Sequence, residues 1–217
     1  MSEKGPGKTR KVSVGQESRP VNEGQSIADS QSRALSRCLT EQQFLLLDGA
    51  MGTQLFDRGL PPGEPPEMFN LVEPDIVQAV HSEYLRVGSD LILTNTFGAN
   101  RHRLALHALD DKVYEINDAA VRIAKQAALK YDALVAGSLG PLGALLTPLG
   151  PISAEAALDA FKEQVDGLTA GARGRDTNSS IDLLWIETMS SLDEAVIAID
   201  ACCQLSELPV ATTMSFD

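Results

Sequence analysis

Two acidic residues in the sequence are placed where a carboxylate can do chemistry. Asp48 and Glu187 each close a short apolar run, residues 44–47 and 181–186. A carboxylate at such a point can hold a cation, an ammonium for example. The plainer alternatives are a turn-forming aspartate before Gly49 and a surface or cap residue at Glu187. Gly49 and Ala50 follow Asp48, and their small size exposes backbone N–H groups that an anion can approach closely. Asn95 and Thr96, after another apolar run, add neutral donors and acceptors. Thiol chemistry has three candidates, Cys38, Cys202 and Cys203. Cys202 and Cys203 fall three and four residues after Ile199 on a helical stripe, where neighbouring side chains diverge by about 100°. His81, His102 and His107 show no ligand spacing with them and read as helix or loop surface.

The elements that carry these residues follow from the apolar pattern. Short, nearly unbroken apolar runs at 44–47, 91–93, 133–136, 181–186 and 208–211 read as strands buried on both faces, as in parallel sheets. Helical stripes separate them. Ile76, Val77, Val80, Tyr84 and Val87 share a face between Pro74 and Gly88; Val113, Ile116, Ala120, Ile123 and Ala127 form a second. Leu158, Phe161, Val165 and Leu168 follow the expected N-cap Ser153. Ser191 and Glu194 are spaced as a capping box before Leu192, Ala195, Val196 and Ile199. The order is βαβαβαβαβ, with right-handed crossovers, either doubly wound or closed as a barrel. The turn after the first run, Asp-Gly-Ala-Met-Gly-Thr, lacks the GxGxxG spacing of a dinucleotide site, which weakens the wound alternative. Polar or small residues end every run: Asp48, Thr94 to Thr96, Ser138, Glu187, Thr212 and Thr213. In a parallel α/β fold these ends share one face, where the site is expected.

Charge and composition exclude several classes. The 217 residues carry 18 Lys and Arg against 30 Asp and Glu, a net charge of −12. That argues against nucleic acid as a partner. Residues 1–40 hold seven basic and four acidic side chains, leaving −15 on the remainder. Almost free of large apolar residues before Leu35, they are expected to form a disordered tail, with a folded domain over 41–217. No apolar run approaches the roughly 20 residues that span a bilayer, so no membrane partner is expected. Three cysteines give no disulfide framework, and a cytoplasmic location is expected.

Five segments resemble the homocysteine S-methyltransferase family, the homocysteine-binding module of methionine synthases and betaine–homocysteine methyltransferase. They are LLLDGAMGTQL (45–55), GSDLILTNTFGANR (88–101), AGSLGPLG (136–143), PLGPIS (148–153) and DLLWIETMSSLDEA (182–195). The resemblance implies an α/β fold of the (β/α)8 TIM-barrel type. It also implies a zinc ion held by three cysteine thiolates, which binds the homocysteine sulfur for attack on a methyl donor. On this resemblance the substrate is an α-amino acid: Asp48 and Glu187 are expected to take its ammonium, Gly49 and Ala50 its carboxylate, with Asn95 and Thr96 beside them. Two departures are a Leu at 93, where many members have Glu or Gln, and a long polar stretch at 173–180. A third concerns the metal. The family's cysteines lie in Gly-x-Asn-Cys and Gly-Gly-Cys-Cys segments absent from these 217 residues, so no zinc is expected on this chain alone. A full barrel takes roughly 250 residues, and the expectation is a barrel truncated after about five βα units. Such a domain is expected to self-associate or to take a partner over its open edge. Methyl transfer to homocysteine by these residues alone is not expected; the alternative is a non-catalytic amino-acid-binding or interaction protein. The methyl donor cannot be read from these motifs.

Overall fold

The computed structural model describes Thr40 and residues 44–131, 133–173 and 180–216. The tail expected at 1–40 lies outside these residues except for Thr40, as do Cys38 and most of the polar stretch at 173–180. Four parallel strands form one sheet: β1 (Leu91–Leu93), β2 (Leu134–Leu139), β3 (Leu183–Met189) and β4 (Val210–Met214). Their spatial order is β1-β2-β3-β4, the order of the sequence. A doubly wound sheet reverses direction at a switch point; here each strand simply adds beside the last, as in a barrel.

The first of the five expected strands is corrected to a rudiment. Residues 44–47 run beside β1, but only Leu47 forms a bridge, to Leu91. The Leu46 carbonyl accepts the N–H groups of Asp90 (2.8 Å) and Leu91 (3.3 Å), and the Asp90 carboxylate accepts the Leu46 N–H. Phe44 and Leu46 stay exposed. With a partner on one side only, the ladder does not extend.

Side chains alternate across the sheet as the pleat requires. Leu91, Leu93, Leu134, Ala136, Leu183 and Trp185 cluster on one face with Leu45 and Leu47. Ile92, Val135, Leu184 and Ile186 point the other way, into the helical layer containing Phe161, Val165 and Leu168. Full burial of each such side chain contributes about 1.5–3 kcal/mol.

The helices are α1 (Met51–Asp57), α2 (Phe69–Val72), α3 (Pro74–Arg86), α4 (Arg101–Ala105), α5 (Val113–Ala128), α6 (Ala154–Leu168) and α7 (Leu192–Leu205). Ser153 caps α6 by accepting the Ala156 N–H. α3 starts at Pro74 and ends before Gly88, whose φ of 109° suits only glycine. Three details of the helical reading are corrected. His81 is fully buried on α3 rather than at the surface, whereas Val87 at its end is exposed. α7 buries Ala195, Ala198, Ala201 and Cys202, leaving Leu192 (70% exposed) and Val196 (55%) outside. Small side chains let α7 approach α6 closely, which outweighs the larger apolar faces. The capping box is half formed: the Ser191 hydroxyl accepts the Glu194 N–H, but the buried Glu194 carboxylate turns away to accept the Leu142 N–H at 2.7 Å.

Candidate functional site

A cavity of about 820 Å³ opens where the strands end. Its inner wall is built by the sheet. Asp48 follows the rudimentary strand, Ser138 lies on β2, Trp185 and Glu187 on β3, and Thr213 on β4. Trp185 and Glu187 are two apart on one strand and so face the same side. The Asp48 carboxylate accepts the Leu93 N–H at 3.0 Å. The Glu187 carboxylate accepts the Ser138 hydroxyl at 2.5 Å.

Neither carboxylate belongs to an ion pair among the described residues. Burial pushes the Asp48 carboxyl up to about 7; the Leu93 N–H opposes the shift and the neighbouring Glu187 adds to it. Burial also raises Glu187, against the Ser138 hydrogen bond. Two desolvated carboxylates facing one cavity without a counterion form a cation-binding arrangement.

A polar network beneath fixes Ser138. The Thr94 and Thr96 hydroxyls are 2.6 Å apart; Thr96 also bonds the Ser138 carbonyl (2.7 Å), and Thr94 accepts the Ser138 N–H (3.0 Å). Gln164 on α6 donates to the Thr96 carbonyl at 2.8 Å. On β3 a register irregularity follows Ile186, and Thr188 adopts φ 62°, an outlying conformation for a β-branched residue. Its N–H reaches the Thr213 hydroxyl. The irregularity sits next to Glu187, where strand bulges commonly re-aim a side chain.

At the other end, Ala50 begins α1, whose N-terminus has no side-chain cap among the described residues. The Tyr84 hydroxyl donates to the Ala50 carbonyl at 3.1 Å. A Cβ on Gly49 would stand 2.9 Å from that hydroxyl oxygen, so glycine is what lets the ring close over this turn.

The six residues expected from sequence all line the cavity: Asp48, Gly49, Ala50, Asn95, Thr96 and Glu187. Their side chains are differently engaged. Asn95 donates to the Pro66 carbonyl and to Asn70, and the wholly buried Thr96 hydroxyl is committed to Thr94 and Ser138. Both serve the cavity wall, whereas Asp48 and Glu187 face the opening with capacity to spare. Sequence reasoning saw Ser138 and Thr213 as strand ends without assigning them to the site. It missed Glu67, Phe97 and Arg103 in the cavity, which stand on loops and short helices that no apolar period marks; His107, read as surface, is exposed and borders the cavity.

The described residues do not fit a zinc site. No three His, Cys, Asp or Glu side chains among them are grouped to hold a metal. Cys202 is buried on α7, its thiol pushed up to about 12 by burial, while Cys203 is exposed. A ligand must be a thiolate, which that environment disfavours.

Comparison with known proteins gives the class. The homocysteine S-methyltransferase family pattern matches residues 45–217, and the chain belongs to that family. It is 31% identical to a methionine synthase of Mycobacterium leprae and 30% identical to one of Mycobacterium tuberculosis, each over 171 residues, 73% of this chain and 13% of those proteins. The structure is similar to that of the homocysteine methyltransferase MmuM from Escherichia coli in its metallated form. That match has a TM-score of 0.69 and 25% identity, covering 82% of this chain and 65% of that one. The chain thus spans less than two thirds of the length of the relatives it matches. Among the described residues no helix is long and apolar enough to cross a membrane.

Proposed function

We propose that the strand-end cavity binds homocysteine and that this chain supplies the acceptor-binding part of a methyl transfer giving methionine. The observation that carries the reading is the pair Asp48 and Glu187, two desolvated carboxylates on one cavity with no ion-pair partner among the described residues. A substrate ammonium between them offsets both desolvation and mutual repulsion. The Gly49 and Ala50 N–H groups at the turn take the substrate carboxylate, and Asn95 and Thr96 hold the wall. Zinc, which would keep the substrate sulfur as a thiolate, is not provided for by the described residues. On this reading these residues alone do not transfer the methyl group. The alternative reading is an amino-acid-binding or interaction protein without catalysis.

Calorimetric titration with homocysteine tests the site. Glu187→Gln and Asp48→Asn should each weaken binding by about 1.5–3 kcal/mol, the worth of a charge-assisted hydrogen bond. If both variants bind like the parent, the assignment fails. A methyl-transfer assay with metal analysis separates the two readings: stoichiometric zinc together with methionine formation would remove the non-catalytic one. The reading also assigns association to the outer side of β4, which pairs only with β3 among the described residues. A concentration-dependent mass in sedimentation is the expected result.

A further inference from the structure

The turn that carries Gly49 and Ala50 is held from outside the cavity. Both residues are exposed where they line it, and neither N–H finds a hydrogen-bond partner among the described residues. Asp48, just before them, is fixed by β1: its N–H donates to the Leu91 carbonyl at 3.0 Å, and its carboxylate accepts the Leu93 N–H. Past Asp48 the support of the sheet ends. What meets the turn there is Tyr84 on α3, which stands behind the residues that line the cavity.

Tyr84 bears on both residues of the turn. Its ring lies against Gly49, where a Cβ would stand 3.1 and 3.2 Å from two ring carbons as well as 2.9 Å from the hydroxyl oxygen. Its hydroxyl donates to the Ala50 carbonyl at 3.1 Å. The peptide joining Gly49 to Ala50, which carries the Ala50 N–H, is thus gripped on both sides. The root of the ring is itself anchored. Tyr84 packs with Met51 against Leu55, Val77 and Val80, and beside it Glu83 bonds Arg58 at 2.7 Å, which ties α3 to the end of α1. A side chain whose own position is locked by packing can fix the group it touches. Burial first, and then the nearby Asp48 charge, hold the Tyr84 hydroxyl above its ordinary value, so it stays a donor through neutral pH. Packing alone would be served equally by a phenylalanine; the hydroxyl is the part with a specific partner in the turn.

We infer that Tyr84 is a positioning residue for carboxylate recognition: without touching the ligand, it holds the Gly49 and Ala50 N–H groups in place for the carboxylate of an α-amino acid. The inference rests on the acceptor reading above and divides its labour. Asp48 and Glu187 select the ammonium. Tyr84, acting through the turn, makes the cavity prefer the amino acid over the corresponding amine.

The test compares homocysteine with aminopropanethiol, the same thiol and ammonium without the carboxylate, by calorimetry and competition on the full chain. Expected for Tyr84→Phe, which keeps the ring, is a loss of about threefold to tenfold for homocysteine, the worth of one neutral hydrogen bond, with the aminothiol changed by less than about twofold. Glu187→Gln should weaken both. Retained aminothiol binding shows that Tyr84→Phe is folded. In the ligand-free chain, NMR order parameters of the Gly49 and Ala50 amides should fall in Tyr84→Phe from the rigid range of about 0.85, while those of β1 stay. The inference is overturned if Tyr84→Phe binds homocysteine like the parent, if homocysteine and the aminothiol lose equally, or if the order parameters of the turn do not change. A parent chain that binds the aminothiol as tightly as homocysteine also overturns it, and leaves the ammonium assignment of Asp48 and Glu187 standing. A parent chain that binds neither removes the acceptor reading itself, and the order parameters then decide alone whether Tyr84 holds the turn.

Discussion

The two ends of the cavity are built differently. The acidic wall stands on strand termini: Asp48 is tied to the Leu93 N–H, and Glu187 to a Ser138 whose N–H donates to the Thr94 hydroxyl and whose carbonyl accepts from the Thr96 hydroxyl and the Gln164 amide. The other wall stands on short helices and turns, where the Arg103 guanidinium lies 5.7 Å from the Phe97 ring centroid and its charge acts on the buried Glu67. Strand-borne groups are fixed by the sheet ladder before any ligand arrives, whereas loop-borne groups settle on it. The contrast assigns precision to the strand-borne wall and tolerance to the loop-borne one.

Thr96→Val should break the acidic end with the largest effect. It preserves shape but removes a fully buried hydroxyl bonded to Thr94 and to the Ser138 carbonyl. A loss of about 1–3 kcal/mol in urea unfolding is expected. Homocysteine affinity should fall as Ser138 loosens. An unchanged homocysteine affinity would erase the distinction between the two walls.

A smaller effect comes from pH. Asp48 has a folded value of about 7 against an ordinary 3.8, so its protonated form is favoured by folding. That contribution is complete below pH 4 and is lost as pH rises through 7. Asp48→Asn should therefore melt like the parent at pH 4 and gain on the order of 1 kcal/mol at pH 8, after allowance for partial solvent access. Homocysteine binding should show the opposite slope, strengthening as Asp48 ionises. Parallel melting curves at both pH values would contradict the assignment of Asp48 as a desolvated carboxylate.

The smallest expected effect is at Arg101, two residues from Arg103 on the same short helix. Its bond to Glu163 is at the surface, and such pairs contribute about 0–1 kcal/mol. Arg101→Gln should change stability by less than about 0.5 kcal/mol and leave homocysteine binding unaffected. A loss as large as that of Asp48→Asn would mean that charge outside the cavity governs binding.

What the sequence discloses follows the same division. Asp48 and Glu187 were legible because each carboxylate directly follows an apolar run that lies along the sheet. Glu67, Phe97 and Arg103 were not, since loop residues have no period and meet only in three dimensions. Glu194 matched a capping box, yet a closer acceptor role at Leu142 claimed its carboxylate. Leu192 and Val196 look like the core face of α7 by hydropathy, but close helix contact selected the alanine side. His81 is invisible for the same reason: nothing local tells that α3 turns it wholly inward, where neither ring nitrogen finds a partner among the described residues.

The strand order described above also bears on how such a chain acquires its shape during synthesis. Because β1, β2, β3 and β4 lie side by side in the order they are made, each strand leaving the ribosome meets a neighbour already in place. No segment has to wait for a distant one before its backbone is paired. Contacts of modest sequence separation close small loops and cost little chain entropy. Assembly can therefore advance one strand and one helix at a time from the amino end, and a pause in translation between units leaves only the latest edge uncovered.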